Sequence, residues 1–457
     1  MQIKYSKKPN GVITVKFLSS KELKTVKDKT VKRSGFQSKK NQMVLSGDTL
    51  YVGIEGIKKD LDDWRVLGMK ITQKLISMKV PSATMNVPKD CAEFIEGLQL
   101  GAYNFDKYKS KKKLSKLKTI TLTSKSDIKN RLNKAIAKAK AQYHTRDWVN
   151  TTPEDAYIGS IEKAIIKMFK STDVKVDIFD EKFLKKKGMN AHLAVNRASR
   201  HEAKTIKLTY TPKKYKEHHI FIGKGLTYDS GGLSLKPSTS MTTMKADKAG
   251  AMTVWGFMKY ISQRGSKSKI TIYMGIAENM VGGDAYKPDD VLTAMNGKTI
   301  HIKNTDAEGR LVLFDNLCLA QEQNNDITTI HTLATLTGAA VFQFGDEAAG
   351  LVSFNDKLKR KVQKAGTKAG EIFMDAAFHK YMLDAIKDDL ADISNTGSRG
   401  MGCQKAGLFL TNAIEKKNIK KYVHWDIAGP AFVEKAWGHN PAGGSGFGVR
   451  TLINYIE

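Results

Sequence analysis

Several scarcities bound what this chain can be. It has three cysteines in 457 residues, Cys91, Cys318 and Cys403, far apart and in no CxxC pair. That excludes a disulfide scaffold and a cysteine-built zinc site; each thiol reads as a small buried hydrophobe, and a reducing cytoplasm fits. No run of about 18 uninterrupted apolar residues occurs, so no transmembrane helix and no membrane partner are expected. The opening "MQIKYSKKPNGVITVKF" lacks the apolar stretch and small-residue cleavage site of a signal peptide. Proline is scarce at 9 residues, and the 41% hydrophobic share is enough for a globular core.

Acidic residues are also outnumbered. Against 76 Lys+Arg stand 46 Asp+Glu, a formal net charge of +30. Residues 1–150 hold 33 basic and 13 acidic residues, a net of +20, which leaves +10 for the other 307. The densest run is "KYKSKKKLSKLK", Lys107–Lys118. A lysine-rich solvated surface accounts for this composition, and a patch for nucleic acid or another polyanion is the functional alternative. Lysine outnumbers arginine there and few aromatics are interleaved, which argues against base-specific readout.

The length exceeds one comfortable core, so two domains are expected. "GVITVKFL", "MVLSG" and "TLYVGIEG" read as strands, "LDDWRVLGMKITQKLISM" as a helix, and "SATMNV" and "LKTITLTS" as further strands. These outline a small, basic N-terminal α/β domain over residues 1–130. "DIKNRLNKAIAKAKAQYHTRDWVN" has no internal Gly or Pro and predicts one helix, with a connector over 131–150. A catalytic α/β domain follows over 151–457. "HHIFIGKG", "KITIYMGIAE", "TTIHTLATL" and "YVHWDIAG" predict buried strands, and Leu311–Gln323 predicts a helix. The expected architecture is α/β, with a mixed, mostly parallel central sheet covered by helices on both faces.

Two stretches carry the chemistry. "NTDAEGRL", residues 304–311, places Asp306, Glu308 and Arg310 on alternate positions, which share a face in an extended chain. "GKGLTYDSGGLSLKPSTSMTTMKADKAGAM", residues 223–252, follows an apolar run, at the strand end where open α/β sheets place ligands. Together they supply four carboxylates, Asp229, Asp247, Asp306 and Glu308, with lysines and no nearby His or Cys. Such a set suits a pair of divalent ions better than a structural zinc. The residues alone leave a salt-bridge cluster and a two-cation site both standing. His331 and His424, in apolar strands, read as core histidines.

Both stretches resemble signatures of the M17 leucyl aminopeptidases, the dinuclear cytosol aminopeptidase family. "ENMVGGDAYKPDDVLTAMNGKTI", "TLTGA", "ADISNTGSRGMG" and "WDIAGPAF" extend the resemblance from "DWVNTTPED" to the C-terminus. The N-terminal domain matches only in size and α/β character. The resemblance implies a peptidase releasing leucine-like N-terminal residues from peptides with two Zn²⁺ or Mn²⁺ ions, Mg²⁺ and Co²⁺ being alternatives. It implies Asp229 and Glu308 as bridging ligands, Asp306 on one ion through carboxylate and carbonyl, and Asp247 with Lys224 on the other. Lys224 must then bind as a neutral amine. A shared water would attack the peptide carbonyl, Lys236 would stabilise the oxyanion, and Arg310 would hold a bicarbonate. A substrate α-amine bound to one ion would restrict cleavage to the first residue.

Met244, Thr335, Leu336 and Gly338 would line the side-chain pocket, and a cytoplasmic homohexamer would be the assembly. Lys248, where the family carries an apolar residue, departs from the pattern; it either weakens the second ion or points away into an ion pair, and the ion pair is expected. Tyr228 in place of Phe is conservative. Two competing readings are a nucleic-acid-binding protein acting through the basic N-terminal domain, alone or alongside peptidase activity, and a phosphoryl hydrolase.

Overall fold

The computed structural model describes residues 1–57, 61–88, 92–397 and 400–457, so Cys91 lies outside the described residues. The chain divides into two compact units, residues 1–143 with 437–439, and residues 144–436 with 440–457.

The first unit is built on six strands: β1 (Gln2–Tyr5), β2 (Ile13–Leu18), β3 (Met43–Ser46), β4 (Thr49–Gly53), β5 (Ser82–Asn86) and β6 (Thr119–Thr123). Their order is β1-β6-β5-β2-β4-β3, parallel throughout except for the β3–β4 hairpin. Parallel strands need covered faces. Val15, Leu50, Val52, Ile120 and Leu122 from the sheet share one core with Leu67 and Ile71 of the helix Leu61–Ser77 and Phe94 and Leu98 of the helix Ala92–Leu100. These helices touch closely because glycines face each other: a Cβ on Gly97 would stand 2.0 Å from Arg65 O. Lys107–Lys118 form no helix or strand and are exposed, save half-buried Ser115 and buried Leu117.

The expected connector is a single helix, Lys129–Asn150. Its Leu132 and Ala135 belong to the first unit's core. In the second unit, Thr145 Oγ1 donates to Met252 O at 2.9 Å and Arg146 Nε to Ser445 O at 2.7 Å.

The second unit centres on eight strands: β7 (Val174–Phe179), β8 (Lys204–Tyr210), β9 (His218–Asp229), β10 (Lys269–Asn279), β13 (Thr329–Ala334), β14 (Ala348–Val352), β15 (Ile372–Asp375) and β17 (Tyr422–Asp426). A small sheet of β11 (Val291–Thr293), β12 (Thr299–His301) and β16 (Ile393–Ser394) stands beside it. The large sheet runs β15-β14-β17-β13-β9-β10-β8-β7. The central β17-β13-β9-β10 run is parallel, and antiparallel strands flank it. Helices Ala249–Arg264, Asp356–Ala369 and Val449–Ile456 form one covering layer, and Asn190–Asn196, Gly309–Glu322 and Gly402–Thr411 the other. Residue alternation along β9 serves both: Ile220 and Ile222 join the core of Leu311 and Phe314, while the Phe221 ring meets Phe257 at 5.2 Å.

All four expected central strands are present, and the expected helix spans Gly309–Glu322. His331 and His424 are buried, with threonine hydroxyls 3.0 and 2.8 Å from their rings. Cys318 and Cys403 are free and buried.

Glycine sets the closest approach of helix to sheet. A Cβ on Gly223 would lie 2.5 Å from Ala251 Cα, and one on Gly250 would lie 2.1 Å from Leu333 O. Backbone atoms cannot yield as side chains do, so Gly250→Ala is expected to lose about 1–3 kcal/mol of stability, read as a lowered thermal midpoint. An unchanged midpoint would contradict this packing.

Candidate active site

The parallel strands deliver their carboxyl ends to one place, as open α/β sheets do. β9 carries Lys224 and Asp229. A 3₁₀ turn, Met244–Lys248, brings Asp247 to the head of helix Ala249–Arg264. β13 ends at Ala334 and passes into the loop holding Thr335–Gly338. "NTDAEGRL" differs from the extended chain its alternation suggested. Thr305 and Asp306 form a turn, Glu308 has helical dihedrals (φ −77°, ψ −39°), and the helix begins at Gly309. A helix entry, not a strand, aims its charged residues at the site.

Asn395 pins that entry. Its side chain accepts from Lys303 N at 2.9 Å and donates to Asn304 O at 2.6 Å, while its carbonyl accepts from Arg310 Nη1 at 2.6 Å. Asn279 ties the two acid-bearing stretches together, donating to Asp229 Oδ1 at 2.8 Å and Thr305 O at 3.1 Å. Tyr286 OH donates to the same Thr305 carbonyl at 2.6 Å. None of these three was singled out from the sequence. Asn279 and Tyr286 lie in the family-like "ENMVGGDAY" and Asn395 in "ADISNTGSRGMG", so the motifs flagged the segments without the roles.

All eleven residues singled out from the sequence line a single cleft of about 730 Å³: Lys224, Asp229, Lys236, Met244, Asp247, Asp306, Glu308, Arg310, Thr335, Leu336 and Gly338. Lys224 Nζ stands 2.8 Å from both Asp247 Oδ1 and Glu308 Oε1, and donates to Thr335 O at 2.9 Å. Lys236 Nζ is 2.9 Å from Asp229 Oδ2 and also pairs with Asp306. Asp229 Oδ1 further accepts from Gly231 N at 2.9 Å.

Charge is crowded here. Burial, then the neighbouring carboxylates, push Asp306 up to about 6 and Glu308 up to about 7. Burial also raises Asp247. For Lys224 burial works against the ammonium, but Asp247, Glu308 and Asp229 outweigh it and hold the amine well above an ordinary lysine. Lys236 is raised in the same way, its burial outweighed by Asp229, Glu308 and Asp306. Burial takes Arg310 down to about 10.

The donor set fits divalent cations. Asp229, Asp306 and Glu308 each offer an oxygen within 4.8 Å of the others. Among the described residues, Asp247 Oδ2 and Glu308 Oε2 are buried with no hydrogen-bond partner, an arrangement that burial penalises unless something positive is met there. Hard carboxylate oxygens, with four acids against two ammonium groups, call for cations. Among the same residues Arg310 Nε is likewise buried without a partner, a donor suited to an anion.

Lys248 departs from its expected ion pair. It is buried, and its Nζ donates to the carbonyls of Thr151, at 3.2 Å, and Lys245. No carboxylate pairs with it among the described residues. Burial, then Lys245, draws its amine down to about 7.

Gly309 makes room for Lys224: a Cβ there would stand 2.4 Å from its Cε and 2.6 Å from its Nζ. Gly309→Ala is therefore expected to displace the amine and weaken Mn²⁺ binding by about 10–100-fold, with the fold retained. Calorimetric titration checks this; wild-type affinity would show that Lys224 is free to move.

Comparison with known proteins follows the same lines. The profile of the cytosol aminopeptidase family's catalytic domain matches residues 143–453, and that of its N-terminal domain matches residues 18–112. The second match corrects the expectation that the N-terminal domain is like the family only in size and α/β character. A probable cytosol aminopeptidase of Wolinella succinogenes is 40% identical over 438 residues, covering 93% of this chain and 90% of that protein. One of Campylobacter jejuni is 42% identical over 392 residues, covering 83% and 81%. Among solved structures, the bottromycin maturation enzyme BotP in complex with Mn has a TM-score of 0.88 at 27% identity, covering 98% of this chain and 99% of that one. A tomato leucine aminopeptidase mutant has a TM-score of 0.87 at 24% identity, covering 100% and 96%, a likeness of fold. With both domain profiles matched and relatives at about two-fifths identity along most of its length, the chain belongs to the cytosol aminopeptidase family of metal-dependent peptidases.

Proposed function

We propose that this chain is a dinuclear metallo-aminopeptidase that releases leucine-like N-terminal residues from peptides. The observation that carries the reading is the convergence of four carboxylates and two lysines on one cleft, with two buried carboxylate oxygens unpartnered. Asp229, Asp306 and Glu308, with Asp247 and Lys224 beside them, would hold the ions. When bound, the ions supply Lewis acidity and a water that ionises near neutral pH. Mn²⁺ in a structural neighbour supports manganese, and Zn²⁺, Mg²⁺ and Co²⁺ suit the same oxygens. The relatives' name supports a cytoplasmic location, and the family resemblance supports a homohexamer.

The chain's own groups divide the remaining work. Lys224 would bind as a neutral amine, its ammonium proton passing to solvent water, with its nitrogen already placed by Asp247, Glu308 and Thr335 O. Asn279 and Gly231 hold Asp229 in place. Lys236 remains charged and faces the developing oxyanion, a cation set in place before the reaction begins. Arg310, with Nε unpartnered, holds an anion such as bicarbonate that relays protons. Met244, Leu336 and Gly338 give the substrate side chain an apolar wall, with Thr335 between it and the charged cluster.

Two substitutions test this. Glu308→Ala is expected to abolish hydrolysis of leucine amide in the presence of Mn²⁺ while circular dichroism stays native; retained turnover sinks the two-ion mechanism. Lys236→Met is expected to lower kcat by about 10²–10³-fold with KM little changed, the signature of a group acting only in the transition state. A rise in KM at constant kcat would reassign Lys236 to substrate binding.

A further inference from the structure

Asp426 ends β17 fully buried, and its oxygens are spent on residues that wall the cleft. Oδ1 accepts from Leu336 N at 3.1 Å and Ala428 N at 3.3 Å, and Oδ2 accepts from Thr337 Oγ1 at 2.7 Å. The Thr337 hydroxyl in turn accepts from Ala340 N at 3.0 Å, so the same carboxylate sets the first turn of the helix Gly338–Phe344. One residue earlier the loop serves the charged cluster: Thr335 O accepts from Lys224 Nζ at 2.9 Å, and Thr335 Oγ1 donates to Asp247 Oδ1 at 2.8 Å.

The segment Thr335–Gly338 thus has two tethers. One end grips Lys224 and Asp247; the rest lines the side-chain wall and hangs from Asp426. A buried carboxylate that accepts from the loops after β13 and β17 costs solvation and returns geometry. We propose that Asp426 is a positioning residue that couples the side-chain pocket to the Lys224–Asp247 pair, setting together the choice of N-terminal residue and the hold on the second cation. This rests on the peptidase reading above.

Asp426→Asn keeps the shape and loses one acceptor; Thr337→Val removes only the hydroxyl tether. Both are expected to shrink the leucyl-over-alanyl preference in kcat/KM, chiefly through a raised KM for leucyl substrates. Both should also weaken Mn²⁺ binding by about 10–100-fold by calorimetry. Asp315→Asn serves as control. That carboxylate is also buried and accepts from His192 N and Met295 N, each at 2.9 Å, but does not line the cleft. Its loss is expected to lower the thermal midpoint and leave both readouts alone. The coupling is overturned if either readout stays at wild type in Asp426→Asn, or if Asp315→Asn moves both as far. A wild type that cleaves no aminoacyl substrate would reject the peptidase reading instead. The Mn²⁺ titration then decides alone: unchanged affinity in Asp426→Asn overturns the coupling, and weakened affinity upholds it.

Discussion

Four carboxylates held in one cleft repel each other and lose solvation, and the second unit is arranged around that burden. A buried charge is tolerated only when paired and hydrogen-bonded. Lys224 does most of the pairing, because its amine meets Asp247 from the 3₁₀ turn, Glu308 from the helix entry and Thr335 O from the end of β13. Three elements distant in sequence are thereby held to one atom on the central strand. The glycines follow from this. Gly223 and Gly250 let the helix Ala249–Arg264 lie close enough to deliver Asp247, and Gly309 leaves room for the lysine side chain. The packing is tight there because the electrostatics require it.

Such a centre is tuned for binding rather than for stability. Burial, then the neighbouring carboxylates, hold Glu308 and Asp306 above ordinary carboxylates, so cations bound there would relieve a strain already present in the fold. Stability is sacrificed locally, at the carboxyl ends of β9 and β13. It is recovered in the two covering layers, where aliphatic and aromatic side chains are fully buried.

What the sequence reveals and what it hides divide along physical lines. The central parallel strands are covered on both faces, so "HHIFIG" and "TIHTLA" stand out as apolar runs. β7, β8 and β15 sit toward the sheet's edges and mix polar with apolar residues, as in "VKVDIF" and "KTIKLTY", and no apolar run marks them. In "NTDAEGRL" the chemistry was legible and the conformation was not: alternation suggested a strand, and the charged residues converge through a turn and a helix entry instead. Asn279, Asn395 and Asp426 were invisible for another reason. Asn279 meets Asp229, Asn395 meets Asn304 and Asp426 meets Leu336 across 50, 91 and 90 residues, and no local pattern marks a side chain whose role is to meet a distant group.

Lys224 and Lys248 make the same point with one residue type. Both are buried, Lys224 within β9 and Lys248 at the end of the 3₁₀ turn that carries Asp247, and desolvation pulls both toward the neutral amine. Lys224 meets carboxylates and is driven up; Lys248 meets main-chain carbonyls, with Lys245 nearby, and falls to about 7. Lys248 also stands at the head of a helix, where the macrodipole disfavours positive charge. Residue type and burial are shared by the two, so it is the partners that decide the charge. A buried lysine is therefore accommodated at position 248 by hydrogen bonds to carbonyls, with no counter-ion among the described residues.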